Sequence, residues 1–243
     1  MATRSLYRPV GKRLGEAVSG GRFGRMGITG SAGRRLLGSG RASDVYEIDE
    51  AWVLRHDREG YSDAHAEAAL MERLHAHGYP VPRVRLADCS RSELVMERLY
   101  GPTMLEAFVA GRTDAREAGA TLARLLRQLH AVPGRAVHLD LHPENVMLTA
   151  DGPYVIDWAN AEEGDPGLDW GMSAVILAQV ALAGEQFTTP ARAMLAALLA
   201  DPSDLTEDGL AEARRRRAAN PTMSVREVEV LGAAEELVRS FMA

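Results

Sequence analysis

The stretch His138-Leu-Asp-Leu-His-Pro-Glu-Asn145, followed by Val155-Ile-Asp157-Trp158, decides the reading of this 243-residue chain. Asp140 and Asn145 stand five residues apart on one predicted loop. Two short strand-like runs, 146–148 and 154–156, flank Asp151-Gly152, a dipeptide suited to a hairpin turn. The chain therefore doubles back and returns Asp157 to the neighbourhood of Asp140. One amide and two carboxylates gathered in this way suit phosphoryl transfer from ATP. That reaction asks for a carboxylate that orients the acceptor hydroxyl, hard oxygen ligands for Mg²⁺ on the phosphates, and a cradle for the triphosphate.

Outward from this loop, the residues from Arg34 to about 100 read as β-rich. Runs at 35–38, 43–48 and 52–55 alternate with turn residues, as in an antiparallel meander. A helix is predicted over 64–76, where Ala68, Leu70, Met71, Leu74 and Ala76 supply the apolar face; Gly78 and Pro80 end it. Segments 81–86 and 94–96 read as two further strands. After Pro102 the pattern turns helical, over 104–110, 115–131 and from Leu168 onward, with 172–183 a buried helix too short to span a bilayer. The resulting α+β organisation has a basic, glycine-rich tail at 1–30, an antiparallel β-rich lobe with one helix at 31–100, and a mainly helical lobe at 101–243. Gly38-Ser39-Gly40-Arg-Ala-Ser43, set between two strands, can lay backbone N–H groups over phosphates, although alone it also describes an ordinary glycine hairpin.

The central motif resembles the catalytic loop and metal motif of the protein-kinase fold, and in detail its aminoglycoside phosphotransferase and choline kinase branch. That branch typically shows H-G-D-L-H-P-x-N, I-D-W and G-D-P-x-x-D. Here the corresponding residues are His138 to Asn145, Ile156-Asp157-Trp158, and Gly164-Asp165-Pro166-Gly167-Leu168-Asp169. The resemblance implies a two-lobe kinase-like fold with Asp140 as catalytic base, Asn145 and Asp157 as Mg²⁺ ligands, and Asp169 as an anchor of the loop that His138 braces. It further implies that Arg55, on the third strand, contacts the ATP phosphates with Glu67 of the helix behind it. Arginine stands there in place of the usual lysine, and the two differ in reach and geometry. The segment from Leu94 to Gly101 resembles the family's hinge: Met96 would line the adenine pocket, while the Glu97 carbonyl and Leu99 N–H would bond the adenine edge. Only seven residues separate Asp157 from Asp165, too few for the activation loop of a protein kinase. The expectation is an ATP- and Mg-dependent small-molecule kinase. A nucleotide-binding regulator of the same fold without turnover is the alternative.

Charge narrows the partners. Residues 1–41 carry Lys12 and eight arginines against Glu16, so the remainder of a chain of net charge −6 is strongly acidic, which argues against nucleic acid as a partner. The basic tail reads as passive, with an anionic-surface arm or a targeting segment as alternatives. Lys12 is the only lysine, which excludes Schiff-base chemistry within the folded lobes. Acids crowd the stretch 159–210 and point either to a cationic acceptor or to a solvated acidic surface. Arg214, Arg215, Arg216 and Arg217 read as a solvated helix turn, with an anionic acceptor or partner as the alternative. A single cysteine, Cys89, and an N-terminus without an apolar leader fit the cytoplasm.

Overall fold

A four-stranded antiparallel sheet opens the chain, with its strands in sequence order: β1 (Leu36–Ser39), β2 (Ser43–Glu47), β3 (Trp52–Asp57) and β4 (Glu93–Glu97). The computed structural model describes residues 33–40, 43–58, 63–184, 186–202, 204–221 and 223–242. The basic tail at 1–30 and Arg41-Ala42 of the glycine-rich motif lie outside the described residues. The chain divides into two compact units. One contains the described residues up to His75 with Pro82–Leu99; the other contains Ala76–Val81 with the described residues from Tyr100 onward.

In the first unit, β3 is the buried strand, and Val53, Leu54 and Arg55 all face protein. Val45 on β2 and Leu94 on β4 stand opposite Arg55 in the ladder. The helix α1 (Ala64–Ala76) buries Ala64, Ala68, Met71 and Leu74, the stripe expected of a 3.6-residue period. Segment 81–86 departs from its expected strand. It forms only an isolated bridge, Val84 with Met96, and then a short 3-10 turn at Leu86–Asp88. Pro80 and Pro82 explain this, because neither has an N–H to give to a ladder.

The second unit is built on helices. These are α2 (Met104–Val109), α3 (Ala115–His130), α4 (Pro166–Leu182), α5 (Thr188–Leu198), α6 (Glu207–Ala218), α7 (Val225–Glu229) and α8 (Leu231–Met242). Local chemistry fixes their starts: Thr103 and Glu106 close a capping box on α2, and Asp114 caps α3. Asp165 caps α4 through the Gly167 N–H, with Pro166 at the first helical position. The apolar run beginning at Met172 lies inside α4, whose residues from Gly167 to Gln179 are all buried. No helix among the described residues is long and apolar enough to cross a membrane.

Two short ribbons complete this unit. One pairs β5 (Ala136–Val137) with β8 (Glu162–Glu163); the other pairs β6 (Val146–Thr149) with β7 (Gly152–Val155). Thr149 and Gly152 face each other, so the loop is Ala150-Asp151 and Gly152 opens β7 with a φ of 115°. The short Ala136–Val137 pairing carries no periodicity and was not expected from sequence.

Helices α3 and α5 approach closely at Gly119. A methyl group placed there would lie 2.2 Å from the Met194 carbonyl oxygen and 2.8 Å from Ala197 Cβ. Gly119→Ala is therefore expected to lower stability by roughly 1–3 kcal/mol through overpacking, although alanine is the better helix former. Urea unfolding of the variant checks this, and an unchanged midpoint would contradict it.

Candidate active site

Asp169, in the first turn of α4, is fully buried, and its carboxylate is saturated with donors. The His138 N–H donates to Oδ2 at 2.9 Å and the Leu139 N–H to Oδ1 at 2.7 Å. His130, ending α3, brings Nε2 to 3.0 Å from the same Oδ2. These bonds hold a left-handed backbone at Leu139, where φ is 64°. A residue with a Cβ adopts that conformation at a cost, so it persists only where its surroundings impose it. The turn leads directly into Asp140.

His138 braces the turn from within. Its Nδ1 accepts from the Asp140 N–H at 3.2 Å, and its Nε2 faces the Ile156 carbonyl at 3.1 Å. These partners require the proton on Nε2, which donates to Ile156. The ring packs edge-on against Trp158, 4.7 Å between centroids, and Trp158 packs in turn against Tyr79 at 5.6 Å. Burial, and then the Asp169 charge, push the Tyr79 phenol well above its ordinary pKa.

Asp140 lies beside Asn145 and His142. Asn145 Nδ2 donates to the Asp140 carbonyl at 2.9 Å and lies 3.4 Å from its Oδ2. With its donor end engaged, the Asn145 amide has its oxygen left to act as a ligand. His142 Nδ1 accepts from the Glu144 N–H at 3.3 Å, and Nε2 stands 3.8 Å from Asp140 Oδ2. Burial pushes the Asp140 carboxyl upward, but the hydrogen bond and charge of His142, with the Arg217 guanidinium, outweigh it, and the pKa falls below the usual value. Asp140 is therefore ionised at neutral pH.

The hairpin of β6 and β7 returns the chain as expected: Val146 pairs with Val155, and the Ile156 N–H donates to the Asn145 carbonyl at 3.0 Å. Asp157 follows directly and is exposed, with φ of 64°. Asn145 and Asp157 thus come to neighbouring positions. Among the described residues no group of three or more His, Cys, Asp or Glu could hold a metal by itself. An amide oxygen and a carboxylate fit Mg²⁺, which takes its remaining ligands from phosphate and water.

The sequence-predicted residues of the first unit fall into three groups. Arg55 and Glu67 form a buried, two-pronged ion pair, with Nη1 to Oε1 at 2.8 Å and Nη2 against Oε2. Gly38, Ser39, Gly40 and Ser43 flank the β1–β2 loop, where the Gly40 N–H donates to the Ser43 carbonyl at 2.7 Å. Arg58, overlooked in the sequence, clasps this loop by donating to Ser39 Oγ at 2.9 Å and the Gly40 carbonyl at 2.7 Å, and pairs with Asp44. Met96 and Glu97 end β4, and the Glu97 N–H donates to the Arg83 carbonyl at 2.8 Å. Leu99, half-buried, is the last residue of this unit.

His130 is the main omission of the sequence reading in the second unit. Its only signal was a histidine in the last turn of an amphipathic helix, which usually marks favourable interaction with the helix dipole.

A sequence model described as the phosphotransferase enzyme family matches residues 33–137 and 133–212. Among curated relatives, a 3-deoxy-D-manno-octulosonic acid kinase of Haemophilus influenzae (strain PittGG) is 27% identical over 146 residues, 47% of this chain and 60% of that protein. The protein of the same description from strain PittEE is 29% identical over 91 residues, 34% of this chain and 37% of the relative. The chain thus spans less than two thirds of the length of either. A solved ternary complex of streptomycin, ATP and APH(2″)-IIa aligns over 84% of this chain and 93% of its own, with a TM-score of 0.53 and 14% identity, and shares the fold.

Two substitutions test the local geometry. Asp169→Asn replaces one acceptor oxygen with a donor that faces a buried backbone N–H, of His138 or of Leu139, and is expected to cost about 2–4 kcal/mol. Glu67→Gln leaves the Arg55 charge incompletely matched, at about 3–5 kcal/mol. Denaturant unfolding measures both, and wild-type midpoints would contradict the assigned bonds.

Proposed function

The chain belongs to the phosphotransferase enzyme family, and from that premise we propose that it moves the γ-phosphate of ATP to a hydroxyl of a small molecule. The observation that carries the reading is the Asp169-held turn, which presents an ionised Asp140 beside the Asn145 amide. The acceptor oxygen forms a bond to the γ-phosphorus as the bond from that phosphorus to the β–γ bridging oxygen breaks, and ADP leaves. The hydroxyl proton passes to an Asp140 carboxylate oxygen. A carboxylate with a depressed pKa is a weak base, yet it suffices here. The transition state is largely dissociative, so orienting the hydroxyl matters more than removing its proton early.

Asn145 and Asp157 would hold Mg²⁺, which when bound neutralises charge developing on the β- and γ-phosphate oxygens. In the first unit, Arg55 would bind phosphate oxygens while Glu67 fixes its guanidinium plane. The loop residues Gly38, Ser39, Gly40 and Ser43 would lie along the triphosphate, and Met96, Glu97 and Leu99 would receive the adenine. The relatives are named for a sugar acid, which makes a sugar-like hydroxyl the first acceptor class to try. We assign the activity to the cytoplasm, on the support of a single cysteine.

The test is ADP release with Mg·ATP across sugars, sugar acids, amino sugars, amino alcohols and nucleosides. Asp140→Ala is expected to reduce acceptor-dependent turnover by about 10²–10⁴-fold while keeping the rise in melting temperature that Mg·ATP gives. Asp157→Ala is expected to lose the magnesium-dependent part of that rise. Undiminished turnover in Asp140→Ala would contradict the mechanism. Stabilisation by Mg·ATP with no transfer to any acceptor would favour the nucleotide-binding regulator.

A further inference from the structure

The four arginines at the end of α6 are each engaged by a partner, unlike the solvated turn expected there. Arg214 pairs with Glu235 of α8 at 3.1 Å, Arg215 with Glu212 at 2.6 Å, and Arg216 with Glu162 of β8, also at 2.6 Å. Arg217 donates through Nε to Gln179 Oε1 of α4 at 2.6 Å. None of these bonds reaches a residue assigned to the nucleotide. Those of Arg58 do.

Arg58 follows β3 directly and spreads one guanidinium over three acceptors where β1 ends and β2 begins. Its Nη1 donates to Ser39 Oγ at 2.9 Å and meets Asp44 Oδ1, while Nη2 donates to the Gly40 carbonyl at 2.7 Å. Ser39 Oγ in turn donates to Asp44 Oδ1 at 2.6 Å. The Gly40 N–H donates to the Ser43 carbonyl at 2.7 Å. The end of β1 and the start of β2 are therefore joined twice, once through the backbone and once through Arg58.

The register of the sheet shows from which face Arg58 acts. Residues paired across an antiparallel ladder project to the same face, and successive residues project to opposite faces. Gly38 pairs with Val45 and Val45 with Arg55, so this row carries the guanidinium that Glu67 of α1 holds. Ser39 pairs with Asp44 and Asp44 with His56, the row of the opposite face. Arg58 thus grips the segment on the face away from Arg55 and α1.

Stability alone does not account for this arrangement. The Arg58 side chain is 35% exposed, and ion pairs so placed contribute little to folding. What Arg58 restrains is a segment in which Gly40 leaves the backbone more conformations than other residues would. Ordering such a segment before a ligand arrives lowers the entropic cost of binding. Charge acts in the same direction: an unmatched Asp44 carboxylate would repel a triphosphate lying along the segment, and Arg58 matches it.

We propose that Arg58 is a positioning residue for the nucleotide. Paired with Asp44, it presets the segment Gly38 to Ser43 that receives the triphosphate, and so sets affinity for the phosphate chain rather than for the base. This rests on the phosphotransferase reading above and deepens its nucleotide site.

The test measures the affinities of Mg·ATP and of adenosine from the dose dependence of melting temperature, and the exchange of the Gly40 amide by NMR. Arg58→Gln is expected to weaken Mg·ATP by roughly tenfold or more and to leave adenosine unchanged. The same variant is expected to speed exchange at Gly40 while the amides of α1 keep their rates. Arg58→Lys, with a donor but no planar fork, is expected to fall between Arg58→Gln and the wild type. Asp44→Asn is expected to weaken Mg·ATP in the same sense, and the double variant no further than Arg58→Gln alone, because both act through one set of bonds. Unliganded melting temperatures establish that the variants fold. Undiminished Mg·ATP affinity in Arg58→Gln, an equal loss for adenosine, unchanged exchange at Gly40, or additive losses in the double variant would overturn the proposal while leaving the phosphotransferase reading standing. Failure of Mg·ATP to stabilise the wild-type chain would overturn that reading, and the Arg58 proposal with it.

Discussion

Asp169, fully buried, accepts hydrogen bonds from two consecutive backbone N–H groups and faces His130. A buried carboxylate is tolerated only when its oxygens are matched in this way. In return it fixes the left-handed turn at Leu139, and through that turn the direction of Asp140. His138 then joins the turn to Ile156, Trp158 packs on His138, and the hairpin carries Asp157 back to the same region. The residues assigned to chemistry in the second unit all hang from this one carboxylate.

Arg55 and Glu67 do the corresponding work in the first unit. A buried ion pair contributes little net stability, since desolvation offsets most of the attraction. What it provides is orientation: both guanidinium nitrogens that face Glu67 are engaged by its carboxylate oxygens. A lysine at position 55 could not use this two-pronged partner in the same way.

Much of this was legible in the sequence because the decisive contacts are local. Asp140 and Asn145 sit on one loop, the hairpin is announced by Asp151-Gly152, and α1 spans the residues its apolar period predicts. What escaped depends on contacts distant in sequence. His130 meets Asp169 across 39 residues, Gln179 meets Arg217 across 38, and Arg58 meets Ser39 across 19. No periodicity marks such partners. The segment 81–86 misled for the opposite reason: its apolar residues fit a strand, but Pro82 removes an N–H group that a strand needs, and Pro80 does the same just before it.

Whether Asp169 holds the turn in solution is measured directly by amide hydrogen exchange followed by NMR. The His138 and Leu139 amides are expected to exchange only through global unfolding, at rates as slow as those of the buried core of α4. Exchange of these two amides on the timescale of exposed loops would contradict it, for then nothing would fix the direction of Asp140.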